Sequence, residues 1–328
     1  MKTVLLTGAN GFLGGHLCRE LLHRNYAVRA FVRRDSDNRA LDGLPVDIWT
    51  GDIREAANVR AATYGCDYVI HAGALAQVNP ARSRKVVDVN IGGTAAVLAA
   101  AIQANVERLV FVGTANVFGF GSRNKPGDEN SPYAGARYGL DYMDSKRAAT
   151  DLVLDAVRND ELPAVLVHPT FMLGPLDYRV TSNALLLALF RRQMVGIPAG
   201  GKNYVHVTDV AKATVNALTK GTVGQSYILG HENLSYREFF SLVADETNVS
   251  PPALSIPPIA ASLIGQLSEL PYRLFGRPAR LNGAMARVAN DKHYFTVTKA
   301  IQALDLQQTP IRDAVRQTFD WFRQHTDL

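Results

Sequence analysis

An apolar run, Val4-Leu5-Leu6, opens the chain, and beyond a glycine-rich gap leucines recur at Leu13, Leu17, Leu21 and Leu22 on one helical face. Short apolar, β-branched runs and helical stretches then alternate through the first half. That alternation predicts a parallel sheet with helices on both faces. Strands are expected near Thr3–Leu6, Ala27–Val32, Asp47–Thr50, Tyr68–His71, Arg108–Gly113 and Ala164–His168. Helices lie between them, notably Gly92–Asn105 and Tyr138–Arg158. After Pro169 the pattern loosens. A helix from about Ser182 to Val195 leads to a Pro-Gly-Gly loop, Pro198 to Gly201. Tyr204–Val207 and Ser226–Leu229 read as strands around a helix Asp209–Lys220. The remainder reads as helical, broken at Pro251-Pro252, Pro257-Pro258, Pro271 and Pro278.

No internal repeat, low-complexity tract or long charge run divides the 328 residues. The expected organisation is interleaved. A nucleotide domain over residues 1–170 is rejoined by about 204–230, and about 171–203 and 231–328 form a smaller substrate lobe.

Two short strings carry the chemistry. Thr7-Gly8-Ala9-Asn10-Gly11-Phe12-Leu13-Gly14 joins the first strand to the first helix. Strand, glycine turn and helix in that order begin a dinucleotide-binding unit. Gly8 permits the tight turn, Gly11 lets a pyrophosphate approach the backbone, and Gly14 lets helix and strand pack closely. The helix N-terminus offers free N–H groups and a positive dipole end to phosphates. In Tyr142-Met143-Asp144-Ser145-Lys146, Tyr142 and Lys146 are four apart and share a helix face. A lysine ammonium beside a phenol favours phenolate and lowers the phenol's pKa. A hydride-transfer enzyme needs that arrangement to move a proton on or off a substrate oxygen.

Further strings follow in order. They are Gly51-Asp52-Ile53, His71-Ala72-Gly73-Ala74, Asn90-Ile91-Gly92-Gly93-Thr94, Thr114 through Gly119, His168-Pro169-Thr170 with Gly174-Pro175, and Val205-His206-Val207-Thr208-Asp209-Val210. With them the chain resembles, almost end to end, the extended short-chain dehydrogenases/reductases. That superfamily of NAD(P)-dependent epimerases and dehydratases includes sugar-nucleotide epimerases, dihydroflavonol reductases and 3β-hydroxysteroid dehydrogenases. The chain also looks like the proteins named hopanoid-associated sugar epimerases, through Tyr294-Phe295 to Trp321-Phe322. The resemblance implies an α/β fold, a Rossmann-type doubly wound parallel sheet with a smaller, mainly helical C-terminal substrate lobe. It implies a catalytic set of Thr114, Tyr142 and Lys146, in which Thr114 hydrogen-bonds the reacting oxygen and Lys146 also holds the nicotinamide ribose. Gly113 stands where serine is common.

For the cofactor, the resemblance implies contacts from Gly8, Asn10, Gly11, Phe12, Leu13, Ala72, Gly73, Ala74, Tyr142, Lys146 and Pro169. It also sets Asp52 at the adenine edge with Ile53 packed beside it, although a plain loop role suits both. An acid that holds the ribose 2′-hydroxyl is expected about twenty residues beyond the glycines, at the end of the second strand. Val32 fills that place, and Arg33 and Arg34 follow. A guanidinium pairs bidentately with a 2′-phosphate, where a carboxylate would repel it. NADP is therefore favoured over NAD, as the valine-arginine ending of dihydroflavonol-reductase-like proteins also implies. In the NAD reading, Arg33 is a solvated residue and Asp35 or Asp37 holds the ribose.

Composition adds mainly exclusions. The hydrophobic fraction of 47% and charged fraction of 20% suit a globular enzyme. The net charge of +5 and pI near 9.2 come without a basic stripe, only short pairs such as Arg33-Arg34 and Arg191-Arg192. An anionic cofactor and a small-molecule substrate, not nucleic acid, are the expected partners. Cys18 and Cys66 make neither a disulfide framework nor a metal set, and no Cys/His/Asp cluster has metal spacing. The chain starts directly on a strand, and its most apolar late stretch, Ile259 to Leu270, is too short for a bilayer. No membrane-integral segment and a cytoplasmic location are expected. His71, His168 and His206 are expected to pack rather than catalyse. Related proteins often pair the Gly92–Asn105 and Tyr138–Arg158 helices about a two-fold axis. A homodimer through Ala95, Ala96, Val97, Ala99, Ala100 and Ala101 is thus one expectation, and packing of these residues on the sheet is the other.

The catalytic set does not separate reductases from epimerases. Nucleotide-sugar enzymes commonly carry an arginine just ahead of the Tyr-Val-His-Val strand to grip a diphosphate. Here Lys202 stands there, in the short loop Gly200-Gly201-Lys202-Asn203, and a lysine is a point charge, not a fork. The apolar segment Ala253 to Leu270 suggests an apolar pocket. Both favour a reductase or alcohol dehydrogenase acting on a small or hydrophobic carbonyl, with a nucleotide-sugar epimerase or dehydratase as the alternative. A non-catalytic dinucleotide sensor of this fold typically loses the tyrosine or the lysine, and this chain keeps both.

Overall fold

The computed structural model describes residues 1–194, 196–257 and 283–326. The apolar runs become strands β1 (Thr3–Thr7), β2 (Ala27–Val32), β3 (Asp47–Thr50), β4 (Tyr68–His71), β5 (Arg108–Val112) and β6 (Ala164–Pro169). Beyond them come β7 (Phe171–Leu173), β8 (Gly201–His206), β9 (Ser226–Leu229), β10 (Glu232–Ser235) and β11 (Lys292–His293). The helices of the first half are α1 (Phe12–His23), α2 (Ala56–Thr63), α3 (Arg84–Val87), α4 (Gly93–Gln103) and α5 (Asp141–Asn159). Those of the second half are α6 (Ala184–Phe190), α7 (Val207–Asn216), α8 (Tyr236–Thr247), α9 (Gly283–Asn290), α10 (Thr298–Leu304) and α11 (Ile311–His325).

Seven strands form one parallel sheet in the order β3-β2-β1-β4-β5-β6-β9. Alternation across the pleat divides their side chains between two cores. Val4 and Leu6 meet Leu17, Leu21, Val110 and Val210 on one face. Leu5, Phe31, Leu109 and Phe111 meet Val97, Ala149 and Val153 on the other. Each such buried side chain contributes about 1.5–3 kcal/mol. Strand order reverses between β1 and β4, and an open α/β sheet binds its ligand in the crevice beyond such a reversal. The glycine turn after β1 and Ala72-Gly73-Ala74 after β4 lie at that point.

A second sheet is built on β8, which pairs antiparallel with β10 and parallel with β7 and β11. Its core gathers Leu173, Leu186, Tyr204, Phe239, Phe240, Val315 and Phe322. The chain passes from the large sheet to the small one twice, at Thr170 after β6 and at Gly230-His231 after β9, and returns in between through α7. The Thr170 N–H donates to the Leu229 carbonyl at 2.9 Å, so the two passages run side by side.

Several expectations change. Gly201 and Lys202 lie on β8, not in a loop. A Cβ at Gly201 would fall 2.6 Å from the Leu234 carbonyl oxygen, so this glycine serves close strand approach. The helix expected from Ser182 spans only Ala184–Phe190, Arg192 takes a left-handed φ of 55°, and Val195 lies outside the described residues. The helix expected at Asp209 begins at Val207, capped by the His206 ring, which accepts the Thr208 N–H at 3.1 Å. β10 and β11 interrupt the tail read as helical. The stretch Ile259 to Leu270, with the breaks at Pro271 and Pro278, lies outside the described residues.

The helix expected over Gly92–Asn105 is α4, and a π-helical turn, Asp88–Gly92, joins it to α3. The run Arg84–Gln103 is long and apolar enough to cross a membrane by length and composition, yet its inner face packs into the sheet's core. Val97, Ala100 and Ala101 are buried there, whereas Ala95, Ala99 and Ile102 are exposed.

Candidate active site

The glycine turn is shaped by contacts that a side chain would destroy. Gly8 has a φ of +70°, and a Cβ on it would lie 2.8 Å from the Gly73 backbone. A Cβ on Gly14 would lie 2.1 Å from the Gly8 carbonyl oxygen, and one on Gly11 3.2 Å from the same atom. The Gly11 N–H donates to the Gly8 carbonyl at 2.9 Å, which closes the turn. Helix α1 begins at Phe12 with no side-chain cap and no acid in its first turn. The N–H groups of Phe12, Leu13 and Gly14 therefore open a bare helix N-terminus onto a surface cleared of side chains, which suits a pyrophosphate.

Asn10 ties this turn to the loop after β2. Its amide donates to Ser36 Oγ at 2.6 Å and Asn38 Oδ1 at 2.7 Å, and Ser36 Oγ donates to the Arg33 carbonyl at 2.7 Å. The Arg33 and Arg34 side chains are exposed and make no hydrogen bond or ion pair among the described residues. Asp37 is committed to Arg39 at 2.7 Å, and that ion pair holds its carboxyl down to about 2. Asp52 pairs with Arg54 at 2.6 Å, which likewise lowers its pKa, and the charge of Arg33 acts on it too. Ile53 packs on Gly93, where a Cβ would come within 2.7 Å. Pro169 is buried at the end of β6, and Ala74 is exposed beyond β4.

Tyr142 and Lys146 sit one turn apart on α5, beside the end of β5. Burial raises the pKa of the Tyr142 phenol, and the nearby Thr114 hydroxyl opposes the rise. Lys146 Nζ donates to the Val112 carbonyl at 2.7 Å and stands 4.4 Å from the centre of the Phe111 ring. Burial pulls the Lys146 pKa down to about 7. The expected lowering of the phenol's pKa by the lysine is thus not what this geometry gives. Desolvation dominates both groups, and the ammonium is aimed at a backbone carbonyl.

Other candidate acid–base groups are committed elsewhere. Tyr133 donates to Asp144 Oδ1 at 2.6 Å and Tyr138 to the Asp291 carboxylate; desolvation and these carboxylates raise both pKa values. His71 Nδ1 is 2.7 Å from Thr7 Oγ1, and Nε2 is 3.1 Å from Thr94 Oγ1. Thr94 gives its own proton to the Asn90 carbonyl at 2.6 Å, so Nε2 carries the ring hydrogen. Burial takes the His71 pKa down to about 3. Its partners are the hydroxyls of Thr7 and Thr94, which suits the packing role expected for it. His168, also lowered by burial to about 3, explains Gly113: a Cβ there would meet its Nδ1 at 2.3 Å.

Sequence reading missed Asn90. This buried residue, in the π-helical turn, accepts the Leu75 N–H at 2.8 Å and donates to Ser145 Oγ at 3.0 Å. It braces the Tyr142–Lys146 helix against the segment after β4. Its place in Asn90-Ile91-Gly92-Gly93-Thr94 was visible, but the π-helical register that aims it was not. Also missed was the wall beyond Tyr142, where Phe120, Met143, Val78, Ala81, Ala284 and Val288 form an apolar cluster with it. Phe120 stacks on His293 at 4.0 Å, and His293 pairs in register with Lys202. Lys202 has the Phe171 ring at 5.5 Å but no hydrogen-bond or ion-pair partner among the described residues, and desolvation lowers its pKa to about 8. Those residues hold no group of three or more His, Cys, Asp or Glu placed to bind a metal ion.

A nucleotide-binding turn, a strand-end hydroxyl and a Tyr-Lys helix on one doubly wound sheet define a class of dinucleotide-dependent proteins. The profile of the NAD dependent epimerase/dehydratase family matches residues 4–230, and the chain belongs to that family. Its members are NAD(P)-dependent oxidoreductases, epimerases and dehydratases. The chain is 31% identical to sterol demethylase protein B of Methylococcus capsulatus, over 98% of each protein. It is 29% identical to a putative dihydroflavonol 4-reductase of Synechocystis sp., over 98% of this chain and 94% of that one. The crystal structure of gox2253 matches with a TM-score of 0.87 at 30% identity, over 99% of each chain.

Proposed function

We propose that this chain is an NADP-dependent oxidoreductase that interconverts a carbonyl and an alcohol on a small or hydrophobic substrate. One observation carries the reading: Tyr142 alone among three neighbouring tyrosines has no carboxylate on its phenol, and it faces Thr114 inside an apolar wall. In this reading residues 1–170 with 204–230 hold the dinucleotide, and the rest holds the substrate. The Gly8–Gly14 turn receives the pyrophosphate, and Arg33 and Arg34 receive the 2′-phosphate. Ala72, Gly73, Ala74 and Pro169 wall the nicotinamide side. The bound nicotinamide supplies the hydride. Tyr142, kept protonated by burial, gives its proton to the carbonyl oxygen, while Thr114 orients that oxygen and shares its developing charge. Lys146 holds the nicotinamide ribose hydroxyls. The relatives' names, which speak of a sterol and a dihydroflavonol, support an apolar substrate.

A second reading, a nucleotide-sugar epimerase or dehydratase, draws on the family and on Lys202, whose unpaired ammonium suits a phosphate. The test is a panel of ketones, aldehydes and UDP-sugars offered with NADPH. Net NADPH consumption supports the reductase, and sugar interconversion without it supports the second reading. Dinucleotide binding with neither reaction would sink both.

A further inference from the structure

We infer that Arg179 is a second anchor for the cofactor's 2′-phosphate, facing Arg33 from the segment between β7 and α6. The inference rests on the NADP reading above. Arg179 Nη2 donates to the Asp37 carbonyl at 2.8 Å, which fixes its guanidinium on the same loop that Arg33 begins. Asn10 ties that loop to the glycine turn through Ser36 and Asn38, so the site adjoins the pyrophosphate end of the crevice.

The segment that carries Arg179 is held in three ways. His16 Nε2, on α1, donates to the Pro175 carbonyl at 3.0 Å. The buried Asp177 carboxylate accepts the N–H groups of Thr181 and Asn183 and the Thr181 hydroxyl, at 2.9–3.0 Å. Tyr178 carries the Arg39 guanidinium 5.0 Å above its ring and packs edge-on against Trp321 at 5.2 Å. A side chain on so fixed a backbone loses little freedom when it takes a ligand.

Two carboxylates at this end of the crevice are engaged elsewhere, Asp37 by Arg39 and Asp52 by Arg54. Neither Arg33 nor Arg179 has an ion-pair partner among the described residues. Partial desolvation and the charge of Arg33 both lower the Arg179 pKa, which marks two guanidinium groups close enough to repel. A phosphate dianion accepts hydrogen bonds from two forks at once and removes that repulsion. The simpler role is a brace, in which Arg179 only props the loop through the Asp37 carbonyl. A brace serves either dinucleotide equally, whereas an anchor serves only the phosphorylated one.

The test is calorimetric titration of wild type, Arg33→Ala and Arg179→Ala with NADPH, NADH, adenosine 2′,5′-bisphosphate and AMP. Arg179 is exposed, so its variant is expected to fold, which its unfolding midpoint checks. The expected result for Arg179→Ala is a loss of about ten- to a hundredfold in affinity for NADPH and the bisphosphate. NADH and AMP should stay within about twofold. Equal losses for NADPH and NADH would make Arg179 a brace and overturn the proposal. A wild type that prefers NADPH, with a variant that keeps this preference, would overturn the proposal alone. A wild type with no preference for NADPH would remove the NADP reading and the proposal together.

Discussion

Lys146 is withdrawn from water and Lys202 partly so, with pKa values lowered to about 7 and about 8, yet the two halves of the molecule answer them differently. Lys146 has a carbonyl at 2.7 Å and a ring face at 4.4 Å. Lys202 has a ring face and nothing else polar within bonding distance among the described residues. Around the large sheet, Asn90, Thr94, His71 and Asn10 all find hydrogen-bond partners, in one another, in neighbouring side chains or in backbone. The small sheet leaves a cation in a partly apolar setting. A partly buried charge without a partner costs stability.

The largest effect is expected where the halves meet. Tyr142→Phe keeps the ring in its apolar wall and removes the proton. Turnover should fall by about 10²–10⁴-fold, with NADPH affinity unchanged. Near-normal turnover would move the proton source elsewhere and leave the wall as mere packing.

In the half built on the large sheet, Gly14→Ala sets a Cβ 2.1 Å from the Gly8 oxygen and 2.6 Å from the Ala9 oxygen, both backbone atoms. We expect a loss of about 2–4 kcal/mol in denaturant unfolding, together with loss of dinucleotide binding. Gly11→Ala, with 3.2 Å to the same Gly8 oxygen, should fold nearly as wild type and still bind the dinucleotide poorly. Equal stability losses in the two variants would contradict the separate roles given to these glycines.

Gly113→Ser should cost about 1–3 kcal/mol, because its Cβ meets His168 Nδ1 at 2.3 Å. Combining it with His168→Ser should recover part of that loss. Additive losses in the double-mutant cycle would separate the two residues.

The smallest effect belongs to the other half, and its sign is opposite. Lys202→Met removes an unpartnered ammonium and should stabilise the ligand-free protein by about 1–2 kcal/mol at pH 7, a figure reduced because the residue keeps solvent contact. The folded pKa of about 8 lies below the unfolded value near 10.5, so the unfolded chain binds the extra proton between them. The cost of Lys202 is therefore full below about pH 8 and fades as pH rises towards 10.5. Unfolding midpoints measured from pH 7 to pH 10 should converge for the two proteins. A destabilised variant would mean that the lysine is already paired.

The same division governs what the sequence made legible. The inner strands of the large sheet are built on apolar runs such as Val4-Leu5-Leu6 and Leu109-Val110-Phe111-Val112, and the glycine turn has a fixed order, so both could be read from residue types alone. β10, Glu232–Ser235, is partly exposed at every position and offers no apolar alternation. Gly201 looked like a loop because its reason for being glycine, the Leu234 carbonyl, lies on another strand. Asn90 and Arg179 act through partners 15 or more positions away, and no local period marks such contacts. Lys202 was noticed, but its isolation is a property of the packed sheet.

Net hydride transfer to a carbonyl is what separates a reductase from an epimerase on this scaffold. The most direct test supplies NADPH deuterated at the transferred position of C4, with a carbonyl compound taken from the panel. One deuterium should appear on the carbinol carbon for each NADP⁺ formed, and Tyr142→Phe should slow both in step. A substrate interconverted with no NADP⁺ accumulating and no deuterium in the product would contradict the account.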